Sequence, residues 1–310
     1  MFKYIWHRLI QFPLILAVIY LFTFTMVWII PGDPFSGDTR KLSPEELNRV
    51  KRELHADTWY NFLGHYTTNL VTRGDFGPSL QRPAFSVGEL VGPRLWVSAR
   101  LGTAALLIAV PLGMAIGTLA AVKRNGPIDW IGSAVTMIGI SFPSFVIASI
   151  LMLVFVTKLR WFNIGEIDSI DDFILPSLAL SLAPMAYIVR LQRSSMLDVL
   201  GADYVRTARA KGLSRWKAVV KHCLRNAFLP VLTYLGPAAA ATLTGSFVVE
   251  TIFDIQGLGK EFVNSITSRD STLILALVMI YSTLLLSLNL VVDVLYAVVD
   301  PRIDVTGGAK

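Results

Sequence analysis

Six stretches of the chain are long, apolar and free of charged residues, and they constrain the fold more than any other feature of the sequence. They cover residues 9–30, 101–122, 130–157, 173–189, 231–249 and 273–292. A helix needs about 20 apolar residues to cross a bilayer core of roughly 30 Å, and even the shortest run approaches that length. We therefore expect an all-α polytopic membrane protein with six transmembrane helices. The composition agrees, because only 16% of the residues are charged, whereas soluble domains carry about a quarter.

The distribution of lysine and arginine predicts how these helices are oriented. Residues 190–225 carry nine basic and two acidic side chains, whereas residues 158–172 and 250–272 are each net acidic. Basic residues accumulate in cytoplasmic loops, so we expect residues 190–225 and both chain termini to be cytoplasmic. This concentration of charge in one loop argues against nucleic acid as the partner. The first run is too long for a signal peptide and lacks a cleavage site after it, so we expect a retained helix.

Residues 31–93 are the most polar part of the sequence and are expected to fold on the extracytoplasmic side. Ser43, Pro44 and Glu46 match the start of a helix, with a cap, a first-turn proline and a third-position glutamate. A second amphipathic helix is predicted from Trp59 to Leu70. We therefore predict a folded extracytoplasmic loop.

Prolines and small residues within the spans predict bent helices that pack closely. Each proline removes a helix hydrogen bond, and they stand at Pro111, Pro143, Pro176, Pro184 and Pro237. Gly113 and Gly117 form a G-x-x-x-G pair, which permits close helix contact. The charges at the edges of the spans, such as Arg100 and Asp293, are expected to snorkel or to pair.

The residue groupings that membrane enzymes use are missing from the sequence. The histidines, His7, His55, His65 and His222, show no convincing ligand spacing, and a single cysteine excludes a thiolate cluster. Residues 257–260 read Gly-Leu-Gly-Lys and resemble part of a phosphate loop. However, position 254 is aspartate instead of glycine, and position 261 is glutamate instead of serine or threonine. We expect no catalytic residue, no metal, no cofactor and no ATP site in this chain.

Residues 190–225 also have a helical organisation of their own. Leu197, Leu200, Tyr204 and Ala208 recur at helical spacing, and Gly212 followed by Leu213 predicts a helix stop. Beyond Ser214, an apolar stripe is predicted at Trp216, Val219, Val220, Cys223 and Leu224. Two interpretations remain open: the basic residues only fix topology and touch lipid phosphates, or the segment is a docking device for a soluble partner.

A resemblance to a known family rests on motifs spread along the chain. Residues 204–213 read Tyr-Val-Arg-Thr-Ala-Arg-Ala-Lys-Gly-Leu, and His222, Leu224–Ala227 and Pro230 follow. Pro-Gly-Asp-Pro at 31–34, residues 74–77 and residues 292–301 add to the pattern. Over nearly its whole length the chain resembles the first-type permease subunit of bacterial oligopeptide and dipeptide ABC importers.

The resemblance implies a type I ABC importer transmembrane fold in the bacterial inner membrane. Residues 1–93 would hold the first helix (9–30) and the extracytoplasmic region (31–93), residues 94–300 the permease domain, and residues 301–310 a cytoplasmic tail. The implied partners are a second homologous permease, two ABC ATPase subunits, an extracytoplasmic solute-binding protein and membrane lipid. The implied ATPase-coupling residues are Tyr204, Arg206, Thr207, Ala208, Arg209, Ala210, Lys211, Gly212 and Leu213. Arg206 stands where the wider importer motif begins with glutamate.

In such a permease, polar uncharged side chains would line the translocation path. We expect Ser141, Ser181, Tyr187, Thr244, Ser246 and Asn289 to do so, with helix packing as the alternative for each. The solute is expected to be a peptide, with nickel or another small solute as the alternative. A membrane-embedded enzyme and a stand-alone channel or carrier remain alternatives from other classes. The first predicts activity from the chain alone, and the second predicts flux without ATP or partners.

Overall fold

A computed structural model describes residues 2–29, 45, 49, 51–52, 55, 57–163 and 171–299. The described chain is almost entirely helical. Its α-helices include α1 (Phe2–Ile29), α2 (Trp59–Arg73), α3 (Val87–Val122), α4 (Pro127–Ser141), α5 (Ser144–Leu151), α6 (Asp171–Leu200), α7 (Asp203–Ala210), α8 (Arg215–Ala218), α9 (Leu224–Ala227), α10 (Leu229–Leu243), α11 (Phe247–Ile252), α12 (Leu258–Ser268) and α13 (Ser271–Val299). Two π-helical turns, Met152–Lys158 and Val219–Cys223, continue α5 and α8.

The membrane-spanning elements agree with the predicted fold class. Among the described residues, five helical stretches are long and apolar enough to cross a membrane: Arg8–Ile29, Val87–Val122, Asp171–Leu200, Leu229–Ile252 and Ser271–Leu295. The third predicted span, residues 130–157, is divided. Its two halves, Pro127–Ser141 and Ser144–Lys158, meet at an angle of 104°.

Pro143 explains this sharp bend. It lies between α4 and α5, has no N–H to continue the hydrogen-bond ladder, and follows Phe142, whose backbone is extended. The predicted proline bend is therefore confirmed at Pro143. Pro111, Pro176, Pro184 and Pro237 lie inside helices that continue past them.

The centre of the fold is the contact between α3 and α6, which is the largest helix interface in the described chain. Glycines make it close. A methyl group on Gly117 would come within 2.7 Å of the Val189 carbonyl oxygen, and one on Gly113 within 2.8 Å of the Ile188 side chain. The predicted packing role of the G-x-x-x-G pair is confirmed, because neither site has room for a side chain.

The described part of the region between α1 and α3 is folded against the spans. Helix α2 covers the predicted stretch from Trp59 and packs on α1, where Tyr20 stacks on Tyr66 with ring centroids 6.1 Å apart. Asp270 caps the start of α13 through the Leu273 amide at 3.3 Å and also accepts from the Leu80 amide at 3.2 Å. The predicted helix start at Ser43, Pro44 and Glu46 lies outside the described residues, as does the tail 301–310.

The charges at the edges of the spans have partners, as predicted. The Arg8 guanidinium lies 3.2 Å from the Asp293 carboxylate, which links α1 to α13. The Arg100 guanidinium lies 5.1 Å from the centre of the Phe173 ring, within cation–π range. Each interaction lowers the cost of a charge near the hydrocarbon boundary.

Candidate coupling loop and translocation surface

Helix α7 presents most of its side chains to solvent. Within its eight residues, Asp203–Ala210, Val205 is the buried one. The Arg206 guanidinium lies 3.8 Å from the Asp203 carboxylate, but both side chains are largely exposed, so this pair contributes little to stability. Arg206, Arg209 and Lys211 are therefore available to a partner.

The chain leaves α7 through a rigid glycine turn. Gly212 has a left-handed φ of +88°. Its amide donates to the Arg209 carbonyl at 3.0 Å, and the Leu213 amide donates to the Ala208 carbonyl at 3.2 Å. These two bonds define a Schellman cap, so the predicted glycine stop is confirmed. Helix α6 ends at Leu200, and α7 begins at Asp203. The apolar spacing from Leu197 to Ala208, which the sequence suggested as one helix, is therefore divided between two helices.

A buried apolar cluster attaches α7 to the spans. We call it the inner cluster, and it joins the C-terminal ends of α3 and α6 to α7 and the segment behind it. Its members are Ala121, Val122, Met196, Val205, Val219, Cys223 and Ala227. The Arg215 guanidinium also donates to the Val122 carbonyl at the end of α3. These contacts pack α7 and the segment behind it against the ends of α3 and α6.

The segment behind α7 differs from the predicted single stripe. Val219 and Cys223 are buried in the inner cluster, but Trp216 is 49% and Val220 is 63% exposed. The π-helical turn at Val219–Cys223 changes the rotation per residue from that of an α-helix. The prediction assumed α-helical spacing, and it was therefore wrong to place all five side chains on one face. Burial also raises the pKa of the Cys223 thiol.

The six side chains expected along a translocation path lie in four different places. Ser181 is buried, and its hydroxyl donates to the Leu178 carbonyl at 2.9 Å. Thr244 and Ser246 lie at the turn between α10 and α11, where the Thr244 hydroxyl donates to the Ala240 carbonyl at 2.8 Å.

The other three have more open positions. Ser141 is exposed at the end of α4, and Tyr187 of α6 is 42% exposed, with its ring 5.5 Å from that of Tyr234. Asn289 lines a small recess beside Arg8 and Asp293, at the contact of α1 with α13. Ser141 and Tyr187 are thus accessible from outside the subunit, whereas Ser181 and Thr244 are engaged with their own helix backbones.

A buried carboxylate that the sequence reasoning missed links α3, α11 and α12. Glu250 of α11 is fully buried. Its carboxylate accepts hydrogen bonds from the Ser98 hydroxyl and the Lys260 amide, both at 2.8 Å, and from the Gly259 amide. The Leu258 amide donates to the Ser98 hydroxyl at 2.7 Å.

These contacts satisfy the first amides of α12, which otherwise lack partners within the helix. The residues 257–260 therefore hold an anion, as their likeness to a phosphate loop suggests, but the anion is the chain's own Glu250. A methyl group on Gly257 would come within 2.3 Å of the Glu250 carboxyl carbon. In the sequence, Glu250 directly follows the fifth apolar run, and Gly257 and Gly259 come shortly after it. This pattern was the sequence feature that could have indicated the site.

An ion pair also joins the N-terminal end of α4 to α6. The Arg193 guanidinium donates to both carboxylate oxygens of Asp129, at 2.5 and 2.9 Å. Next to it, the Gln192 amide donates to the Thr118 hydroxyl at 3.0 Å. These bonds hold the C-terminal part of α3 and the N-terminal end of α4 against α6.

The described residues also include a pair of stacked histidines, one before α2 and one within it. The rings of His55 and His65 are 4.0 Å apart. The pKa of His65 is lowered by partial burial and by the nearby charges of His55 and Arg73. Within the described ranges, no three His, Cys, Asp or Glu side chains are grouped so that they could hold a metal ion.

Comparison with known proteins places these features in context. The profile of the family described as "Binding-protein-dependent transport system inner membrane component" matches residues 113–305. The chain is 40% identical over 303 residues to the dipeptide transport system permease protein of Bacillus subtilis, covering 98% of each chain. It is also 40% identical over 307 residues to the oligopeptide transport system permease protein of Escherichia coli K12, covering 98% of this chain and 99% of the relative.

Solved structures resemble this chain in fold. An amino acid ABC transporter crystallised with histidines aligns with 67% of this chain and 93% of its own, with a TM-score of 0.52 and 20% identity. An inward-facing methionine ABC transporter aligns with 68% of this chain and 97% of its own, with a TM-score of 0.54 and 16% identity.

Proposed function

The chain belongs to the family of binding-protein-dependent transport system inner membrane components, and from that premise we propose that it forms half of an ATP-driven translocation path for peptides. It is a multi-pass inner membrane protein and a permease subunit of an ABC importer. The two relatives described above are named for dipeptide and oligopeptide transport, which supports peptides as the solute. Nickel or another small solute is the alternative within the same family.

One observation carries the proposed mechanism. The exposed helix α7 packs through the inner cluster against the C-terminal ends of α3 and α6. A docking device needs a free outer face and a stiff attachment, and α7 combines the two. We propose that the residues from Tyr204 to Leu213 bind an ATPase subunit. Closure of the ATPase dimer would then displace α7, and the inner cluster would pass that displacement to the spans.

The chemistry of this chain supports partners that supply the energy. The Gly-Leu-Gly-Lys segment is occupied by Glu250 and so has no room for a nucleotide phosphate. We propose that two separate ABC ATPase subunits hydrolyse ATP and that a solute-binding protein delivers the peptide on the extracytoplasmic side. This assignment requires the loop 190–225 and both termini to face the cytoplasm, in agreement with its basic charge.

A second permease subunit is proposed to complete the path. The outer face of α4 carries large exposed apolar residues, including Trp130 at 74% and Met137 at 66% exposure. We propose that lipid and a homologous permease together cover such surfaces. Ser141 and Tyr187 are our proposed path residues on the exposed side, whereas Ser181, Thr244, Ser246 and Asn289 are closer to structural roles.

Peptide uptake by a reconstituted transporter tests this function. The chain is assembled in proteoliposomes with a second permease, the ATPases and the binding protein, and uptake of a labelled tripeptide is measured. Uptake is expected only when ATP and every component are present. Nickel uptake without peptide uptake would identify the alternative solute, and solute flux through vesicles that hold this chain alone would contradict the proposal.

A further inference from the structure

An open recess of about 380 Å³ lies between α4 and α6, toward the cytoplasmic side of the spans. Its polar lining consists of Ser133 and Thr136 from α4 and Arg190, Arg193 and Ser194 from α6. It is distinct from the coupling helix α7 and from the Glu250 site.

The two arginines of this recess differ in how they are used. Arg193 is neutralised by its bidentate pair with Asp129. Arg190, one turn earlier on α6, is exposed, and within the described residues it has neither an ion pair nor a hydrogen-bond partner. The recess therefore presents one uncompensated positive charge.

The hydroxyl groups around Arg190 are available as donors. Ser133 and Ser194 are exposed and make no hydrogen bond within the described chain. Thr136 differs, because its hydroxyl already donates to the Gly132 carbonyl at 2.9 Å. A guanidinium with two free hydroxyls matches a carboxylate, which accepts several hydrogen bonds and pairs with the planar fork of arginine.

The position of Arg190 favours an aqueous path over lipid tails. Arg190 directly follows the apolar run 173–189, and a basic side chain at the edge of a span places its charged group in water or among lipid headgroups. Tyr187, Arg190 and Ser194 follow one another at steps of three and four residues, so they share one face of α6. This face is exposed at all three positions and includes the proposed path residue Tyr187.

We propose that Arg190, with Ser133 and Ser194, binds the C-terminal carboxylate of the transported peptide near the cytoplasmic exit of the path. This inference rests on the proposed function, because it requires a peptide as solute. Arg190 would hold the carboxylate weakly, since an exposed site in water must release its ligand for transport to continue.

The test uses the complete transporter in phosphatidylcholine proteoliposomes and one labelled tripeptide in two forms, with a free C-terminal carboxylate and with a C-terminal amide. Both are supplied at concentrations that saturate the binding protein, as measured separately. R190Q is expected to reduce uptake of the carboxylate form about tenfold, which corresponds to about 1.4 kcal/mol, and to change uptake of the amide less than twofold. R190K is expected to restore most of the difference.

R124Q is the matched control, because it removes an exposed cytoplasmic arginine outside the recess and should leave both uptakes unchanged. Equal losses for both peptides in R190Q, or no loss for either, would overturn the inference. A defect that appears only when anionic phosphatidylglycerol is added would also overturn it and would assign Arg190 to a lipid phosphate. If the wild-type transporter takes up neither peptide, the proposed function itself fails. If the wild type takes up both peptides but R190Q affects them equally, only the role of Arg190 fails.

Discussion

Replacing Glu250 with glutamine should destabilise the protein where α3, α11 and α12 meet, although the two side chains have nearly the same shape. The Glu250 carboxylate receives donors from Ser98 and Lys260 at 2.8 Å and from Gly259. Glutamine removes the charge and replaces one acceptor oxygen with an N–H₂ group, so the Ser98 hydroxyl, which can also accept, must give up its donation to residue 250 if the amide oxygen keeps the two backbone amides. Because the site is fully buried, water cannot repair the mismatch.

The expected magnitude follows from the number of bonds affected. A hydrogen bond to a charged group contributes a net amount of about 1.5–3 kcal/mol. E250Q should therefore lower the free energy of unfolding by about 2 kcal/mol, and E250A, which leaves several buried donors without an acceptor, by about 4 kcal/mol. In the background of Ser98→Ala, E250Q should cost less than it does alone, because one shared bond is already lost.

Denaturant or thermal unfolding of the purified protein in lipid nanodiscs measures these differences. Asp254→Asn is the matched control, since Asp254 is 66% exposed and pairs with the Lys260 side chain at the surface; its effect should stay below about 0.5 kcal/mol. Wild-type stability of E250Q would refute the reasoning. Strict additivity of E250Q and Ser98→Ala would refute the claim that the two side chains act together.

Three further changes are expected to have distinct outcomes. Gly102→Ala places a methyl group 2.3 Å from the Thr242 carbonyl oxygen and should lower stability in nanodiscs by about 1–3 kcal/mol, whereas Gly92→Ala in the same helix meets open space and should not be destabilising. Gly212→Val forces a β-branched residue into a left-handed turn, at a cost of about 1–2 kcal/mol, and should reduce ATP-driven uptake without loss of folded protein; unchanged uptake would remove the turn from the mechanism. The raised pKa of Cys223 keeps its thiol protonated at higher pH, so maleimide labelling should be slower than in the denatured chain between pH 7 and pH 9; equal rates would show that the inner cluster is open.

Much of the architecture follows from short-range features of the sequence. The absence of charge over about 20 residues is enough to predict a span, because hydrocarbon penalises each charged group. The cap at Gly212 could likewise be predicted, since it depends on one left-handed residue and its apolar successor. Helix α2 followed from amphipathic spacing alone.

Other features depend on residues that are far apart in sequence. The Glu250 site requires Ser98 and the segment 257–260 to meet at one point, and the Asp129–Arg193 pair joins two different helices. A single sequence without three-dimensional proximity does not show such pairings. Proline predicted a bend at Pro143, but the angle of 104° depends on how the two halves pack.

The translocation path was the least predictable part, because hydroxyl and amide side chains serve helix packing as well as solute contact. Ser181 illustrates the ambiguity: its hydroxyl is buried and bonded to its own helix. Tyr187 is exposed on the same helix, and Arg190 follows it by one turn. Exposure distinguishes side chains that could contact solute from those that serve helix packing. Because exposure depends on the folded structure, the sequence alone does not show it.

The number of peptides imported per ATP hydrolysed, for Ala208→Glu against the wild type, tests the central claim most directly. Ala208 is half-buried on α7, and its carbonyl accepts the Leu213 amide of the glycine turn. A glutamate there adds bulk and negative charge to the proposed docking face while leaving the inner cluster intact. The account predicts that ATP hydrolysis by the assembled complex continues and that imported peptide per ATP falls at least tenfold. An unchanged ratio would contradict the claim that α7 couples ATP hydrolysis to transport.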